Sequence, residues 1–289
     1  MPDVKVTRAG YLAYYYNRRR RHARIEGVGV LPQSLALFER MTATGVSPSE
    51  ARKTNINNLI RSLVGATVWD ELDYLQVRSA ETEAHALLNW VGDYSNATKV
   101  GSPVFTENEG FVCSAGSGNY INVGFNPGDG LRTYKYLRDD AFFSIGSRTD
   151  ANQNAFDIGQ RTSNIAHNAN ILIRNDAAGG LLARINEDTT VVSVANATAI
   201  GRYVVRRSGA GATAVFKNGT QIATGTGASS AIQNRVWYEG TLNNAGVATT
   251  APTKQYSYSA AGGSLTDAQI AAFDATLNTF FTAILAEVI

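Results

Sequence analysis

The decapeptide WYEGTLNNAG places two aromatic rings, Trp237 and Tyr238, within a few residues of two side-chain amides, Asn243 and Asn244. Those are the parts of a sugar site, in which an aromatic face stacks on the pyranose and amides hydrogen-bond its hydroxyls. The same text also reads as architecture. Strand alternation buries one of the two rings, and Asn-Asn-Ala-Gly makes a plain loop. Hydrolysis of a glycan would need two carboxylates flanking the scissile bond. Within residues 104–262 the strand-like glutamates are Glu187 and Glu239, and neither has a second acid two positions away. Glu71 and Asp73 have that spacing, but they fall in a segment of helical pattern, where residues two apart do not share a face. There is no G-x-S-x-G, no H-E-x-x-H and no phosphate-binding glycine loop, so no catalytic residue is assigned and the sequence predicts a protein that is not an enzyme.

Oxygen ligands for calcium cluster in Asp139, Asp140, Asp150, Asn152 and Asp157,. The plainer reading, and the one favoured, is that these residues hold turns through side-chain to backbone hydrogen bonds. No cofactor is therefore assigned. One cysteine, Cys113, excludes an internal disulfide, and three scattered histidines leave no histidine cluster,.

The remaining reactive feature is electrostatic. YYYNRRRR puts Tyr14, Tyr15 and Tyr16 just before Arg18, Arg19, Arg20 and Arg21. Residues 1–25 carry seven basic groups and one acid, hence +6, which leaves −4 for the other 264 residues of a chain whose total is +2. A basic arm on a mildly acidic body marks a segment that meets a partner. Arginine and tyrosine are favoured at the centres of protein interfaces. They also suit phosphates and bases, but contact with nucleic acid is the less favoured reading. No run of about 18 apolar residues is present, and arginines stand where a signal peptide has its apolar core, so a soluble, unsecreted chain without membrane insertion is expected.

Those groups must be positioned by three kinds of element. Residues 34–92 read as helical, with Ile56, Leu59, Ile60, Leu63, Val64, Val68, Leu72 and Leu75 at spacings of three and four,. They form one helix, or two broken near Gly65, opened by the capping hydroxyl of Ser47, Pro48 and Glu50. A second helix is expected over about Ser79 to Trp90. From Val104 the period becomes two, in short strands separated by Gly, Asn and Asp clusters, the pattern of an antiparallel β-sandwich. Asn218-Gly219 marks the clearest hairpin. The final segment is helical again, with a Thr266–Gln269 capping box and an apolar stripe of Ile270, Phe273, Leu277, Phe281, Ile284 and Val288,.

The motifs VWDELDYL, ALLNW, SPVFTENEGF, NYINVGFNP, RYVVRRSGAGATAVFKNG, LNNAG and SLTDAQIAAF, in that order, resemble bacteriophage and prophage virion proteins built around a concanavalin A-like (LamG-type) jelly roll. The resemblance covers about residues 54–282. It includes a W-D-x-L-D signature at Trp69, Asp70, Leu72 and Asp73 and a closing helix at Leu265 to Gln269. It implies a tail, fibre or capsid-surface component, assembled in the host cytoplasm onto the virion. Glycosidases of related fold carry E-x-D-x-E on one strand, and this chain has no such strand.

The expected fold is mainly β with a helical N-terminal segment: an antiparallel jelly-roll β-sandwich closed by a C-terminal helix. The expected organisation is an attachment arm over 1–33, a helical segment over 34–92, the jelly roll over 93–262 and the closing helix over 263–289. The expected function is structural, with the arm anchored to other virion proteins and the jelly roll displayed for adsorption to a host surface glycan. The alternatives are a carbohydrate-binding adhesin or glycan depolymerase of the same fold, and a nucleic-acid-binding protein using the arginine run. The width of the C-terminal stripe predicts that Phe280, Phe281, Ile284 and Leu285 contact a neighbouring copy in a homo-oligomer, a trimer by the resemblance to phage fibres.

Overall fold

The computed structural model describes residues 29–286 apart from 115, 117, 164–165, 176–178 and 250–251 and the side chain at 286. The tyrosine and arginine residues of the arm, 14–21, lie outside the described residues. Helices α1 (Pro32–Ala43) and α2 (Glu50–Gly65) come first. Helix α2 is capped by Ser49, whose Oγ accepts from the Arg52 N–H at 3.1 Å. Ser47 lies too early to cap it and meets the Thr42 hydroxyl at 3.0 Å instead. The helix stops at Gly65, two residues before Thr67 turns to φ 56°.

Beyond that point the structure departs from the helical reading. After a 3-10 turn at Trp69–Glu71, Leu72–Val77 is a strand, β1. Its helical spacing misleads because both faces are covered. Tyr74 enters one apolar core, whereas Leu75 and Val77 enter another. A strand buried on both sides shows no clean period of two. The helix expected over Ser79 to Trp90 is a single turn, α3 (Glu83–Ala86). Asn89 ends it by bonding elsewhere: its Oδ1 accepts from the Leu75 and Val91 N–H groups and its Nδ2 donates to Tyr94 O.

The strands that follow are β2 (Thr98–Val100), β3 (Val104–Thr106), β4 (Gly110–Cys113), β5 (Tyr120–Asn122) and β6 (Ala141–Ser147). Next come β7 (Ile158–Arg161), β8 (Asn168–Asn175), β9 (Gly180–Glu187), β10 (Val192–Ala195) and β11 (Gly201–Gly209). The rest are β12 (Ala212–Lys217), β13 (Thr220–Gly225), β14 (Tyr238–Glu239), β15 (Asn243–Asn244), β16 (Val247–Ala248) and β17 (Lys254–Gly262). One sheet of eight runs β13-β12-β11-β6-β17-β4-β3, with β1 also on β17; one of nine runs β10-β9-β8-β7-β14-β5-β2, with β15 beside β7 and β16 beside β15. The pairings are antiparallel except β15 on β7. The β12–β13 hairpin turns at Asn218 (φ 49°) and Gly219 (φ 76°), the two positive φ values that a tight hairpin needs,.

Helix α4 (Asp267–Ala286) closes the fold. Its capping box forms as expected: Gln269 N–H donates to Thr266 Oγ1 at 3.3 Å, and Thr266 N–H donates to Gln269 Oε1 at 2.9 Å. The molecule therefore has three layers. Helices α1, α2 and α4 cover one face of the eight-stranded sheet, and the nine-stranded sheet covers the other. This is an antiparallel β-sandwich closed by a C-terminal helix. The α4 stripe is used within the chain: Phe280 is 3%, Phe281 8% and Ile284 0% exposed, packed with Trp90, Tyr258 and α2. That removes the surplus which pointed to a neighbouring copy. Of the four residues assigned to an oligomer contact, Leu285 alone stays exposed.

Candidate functional site

The helices leave the outer face of the nine-stranded sheet uncovered, and register assembles a row of side chains across it. Asn122 on β5 pairs with Tyr238 on β14, Tyr238 with Gly159 on β7, Gly159 with Asn170 on β8, and Asn170 with Arg184 on β9. Directly paired residues share a face. The face is the outer one, because the adjacent residues Ile121, Ile158, Ile171 and Ala183 all lie in the inter-sheet core.

Aromatic rings stand at one end of the row. Tyr120 stacks on Tyr238 at 4.5 Å between centroids, tilted by 37°. Burial, then the hydrogen bond with Tyr238, push the Tyr120 phenol up to about 12. Gly159 adds no side chain at the centre. It holds φ 145°, and a Cβ there would lie 2.2 Å from Ala169 O, so only glycine fits. Two residues further along β7, Arg161 donates from Nε to Asn244 Oδ1 at 3.0 Å and lies 5.3 Å from the Phe156 ring centroid. Burial first, and then the positive charge of Arg184, hold the Arg161 guanidinium below its usual value. Burial does the same to Arg184, opposed by Glu187. Among the described residues neither arginine has an ion-pair partner, because Glu187 is already paired with Arg207 at 3.3 Å.

Beneath the row, two ion pairs cross between the sheets. Arg78, just after β1, holds Glu239, the neighbour of Tyr238, at 3.1 Å, both side chains fully buried. Lys254 on β17 holds Asp157, two residues before Gly159, at 2.9 Å, again with both fully buried, and Tyr256 donates its phenol to the same carboxylate at 2.7 Å. These pairs tie the strands that carry Tyr238 and Gly159 to the sheet behind them.

The residues singled out by sequence are divided by this geometry. Tyr238 and Asn244 belong to the outer face. Trp237 is fully buried, 5.1 Å from Phe143 and 5.7 Å from Tyr136. Asn243 is a loop brace, donating to Val236 O at 2.7 Å and accepting from Gly246 N–H at 2.8 Å. The calcium candidates do not converge. Asp139 is bonded to Arg138, Asp140 to the Ser264 N–H, Asp150 to Arg174 and Ala199, and Asp157 to Lys254, while Asn152 is exposed. Among the described residues no group of three His, Cys, Asp or Glu side chains could hold a metal. Asp73 is on a strand, not a helix, and its carboxylate accepts from the Lys135 and Tyr136 N–H groups at 2.9 and 2.8 Å. Tyr120, Asn122, Phe156, Arg161, Asn170 and Arg184 were not singled out. The signal for part of this set was the alternation in NANILIRN, with Ala169, Ile171 and Ile173 inward and Asn170, the apolar Leu172 and Arg174 on the other face.

No family model matches the chain, and no curated protein matches it. The fold is shared with solved glycan-associated β-sandwich structures. One, described under the finding that cell entry of botulinum neurotoxin type C depends on interaction with two ganglioside molecules, is 11% identical with a TM-score of 0.52, over 73% of this chain and 53% of that one. Another is a Trypanosoma rangeli sialidase mutant displaying trans-sialidase activity, 8% identical with a TM-score of 0.50, over 78% of this chain and 39% of that one. A third, domain 4 of a GH43 extracellular arabinanase from Geobacillus stearothermophilus in complex with arabinotriose, is 12% identical with a TM-score of 0.39, over 70% of this chain and all of that domain. The chain thus spans about half of the neurotoxin chain and less of the sialidase.

Proposed function

We propose that this protein is a glycan-recognition module that binds sugar on the outer face of its nine-stranded sheet without cleaving it. The row Asn122–Tyr238–Gly159–Asn170–Arg184, with Tyr120 and Arg161 beside it, is the observation that carries the reading. It sets the half-buried Tyr120 ring beside the Asn122 amide and the guanidinium groups of Arg161 and Arg184, over the buried Tyr238, Gly159 and Asn170, on a face that no helix covers,. The ganglioside named for the neurotoxin supports the same ligand class. The binding-only reading rests on the two strand glutamates: Glu239 and Glu187 face the interior and are engaged by Arg78 and Arg207, so neither is placed to protonate or attack a glycosidic oxygen,.

The setting we propose is a bacteriophage particle, with the basic arm as its attachment; the order of the seven motifs supports it. Repeated copies on one particle would turn weak sugar contacts into firm adsorption.

The test is a glycan-array screen of the full chain beside its Tyr120→Ala variant. Binding of a defined sugar class, weakened at least about tenfold by the variant, is expected from the loss of one stacking ring. Absence of binding to arrayed glycans and host polysaccharide, or binding indifferent to Tyr120, overturns the reading. Release of reducing ends would instead establish a depolymerase. Mass spectrometry of purified particles tests the setting, and absence of the chain from them rejects it.

A further inference from the structure

We infer that the glycan bound on this face is acidic, its carboxylate or sulfate group seated between Arg161 and Arg184. The inference rests on the glycan-recognition reading. The two arginines stand on β7 and β9, with β8 between them, and Arg161 is offset by two residues from the row that contains Arg184. With strands about 4.8 Å apart and about 3.3 Å per residue, their Cα atoms are about 12 Å apart, which lets two long side chains converge on one anion. The positive charge of Arg184 is, after burial, a cause that lowers the Arg161 guanidinium.

Like charges brought together on a half-buried surface are unfavourable unless an anion joins them. At several other arginines the chain provides one. Arg174 has Asp150 at 2.8 Å, Arg202 has Asp274 at 2.7 Å, and Arg206, Arg207 and Arg78 each have their own acid. Arg161 and Arg184 depart from that pattern: among the described residues no carboxylate pairs with either. Arg161 spends Nε on the Asn244 amide, and among the described residues no hydrogen bond is made by its terminal nitrogens or by the Arg184 guanidinium. The guanidinium edge presents two parallel N–H groups, the geometry that carboxylate and sulfate accept in pairs. A neutral sugar needs no such pair.

The experiment compares oligogalacturonate with its methyl ester, and dextran sulfate with dextran, binding to the full chain by calorimetry at physiological salt. Four proteins are used: the wild type, Arg161→Gln/Arg184→Gln, Tyr120→Ala, and a variant with Arg18, Arg19, Arg20 and Arg21 changed to Gln. Circular dichroism verifies that each is folded. At least one acidic polymer is expected to bind about tenfold or more tightly than its neutral counterpart. The Arg161→Gln/Arg184→Gln pair should abolish that preference while the arm variant keeps it. If the preference follows the arm arginines, or if neutral and acidic polymers bind equally and are lost together in Tyr120→Ala, the acidic-ligand inference is wrong and the glycan-binding face stands. If neither acidic nor neutral glycans bind, the reading beneath it fails instead.

Discussion

Replacing Arg78 with methionine removes one side of an ion pair that has no access to water. The guanidinium makes three contacts with Glu239, at 3.1, 3.3 and 3.1 Å, and donates besides to Ala86 O at 2.7 Å and Gln76 Oε1 at 2.5 Å. In Arg78→Met the Glu239 carboxylate stays in the apolar interior without its counter-ion. Breaking a buried pair in this way costs about 3–5 kcal/mol. The second change, Glu239→Leu, eliminates the stranded charge. Arg78→Met/Glu239→Leu should therefore recover most of the loss, since apolar replacement of a whole buried pair is often close to neutral. Urea denaturation followed by tryptophan fluorescence suits the measurement, because Trp69, Trp90 and Trp237 are all buried. A loss below about 1 kcal/mol in Arg78→Met would refute the claim that this pair is an uncompensated charge once broken. So would a double variant whose loss equals the sum of the two single variants, as that would show the residues to act independently.

Gly159→Ala forces a side chain into a φ of 145° and against Ala169 O, so a loss of about 1–3 kcal/mol and weaker glycan binding are expected together in denaturation and calorimetry,. Stability should fall at alkaline pH. The folded-state value of Tyr120 is raised to about 12, and burial raises Tyr74, Tyr136, Tyr203, Tyr256 and Tyr258 as well. Their contribution is full below the unfolded value near 10 and is lost as pH rises through the folded values, for Tyr120 between about 10 and 12,. Phenolate absorbance should then rise in two stages, the second accompanied by loss of ellipticity; a single step near pH 10 for all thirteen tyrosines with the fold intact contradicts this. Phe281→Asp puts a carboxylate beside Tyr258 and Phe280 and should cost about 3–5 kcal/mol, with light scattering showing no dissociation that precedes unfolding,.

Local chemistry was legible wherever the chain meets itself within a few residues. The Thr266–Gln269 box and the Asn218-Gly219 turn are both formed as read, since each is decided by hydrogen bonds and φ preferences inside a single turn. The sandwich also was legible from alternation. The β1 strand was not: covered by helices on one side and the second sheet on the other, Leu72–Val77 shows neither period plainly. The C-terminal stripe was read correctly as buried but assigned the wrong partner. It is wide because α4 lies in a groove, with Phe280 against Trp90 on one side and Phe281 against Tyr258 on the other. Alternation foretold that one ring of Trp237-Tyr238 would face the core, and Trp237 does, while Tyr238 on the other face is buried as well. It could not bring Tyr120 and Arg184 beside Tyr238, because they are joined only by register across β5, β14, β7, β8 and β9.

The three-layer order gives the molecule a front and a back. Gly29 and Leu31, where the described chain begins, are fastened to α2: Gly29 O accepts from Arg61 and the Leu31 N–H donates to Asn57 Oδ1. Helix α4 packs against the same helix. Both ends of the described chain are therefore rooted on the helical side, and the row around Tyr238 looks the opposite way, two layers or about 20 Å distant. A surface that grips the molecule at Gly29–Leu31 or on α4 holds it with the face around Tyr238 turned outward.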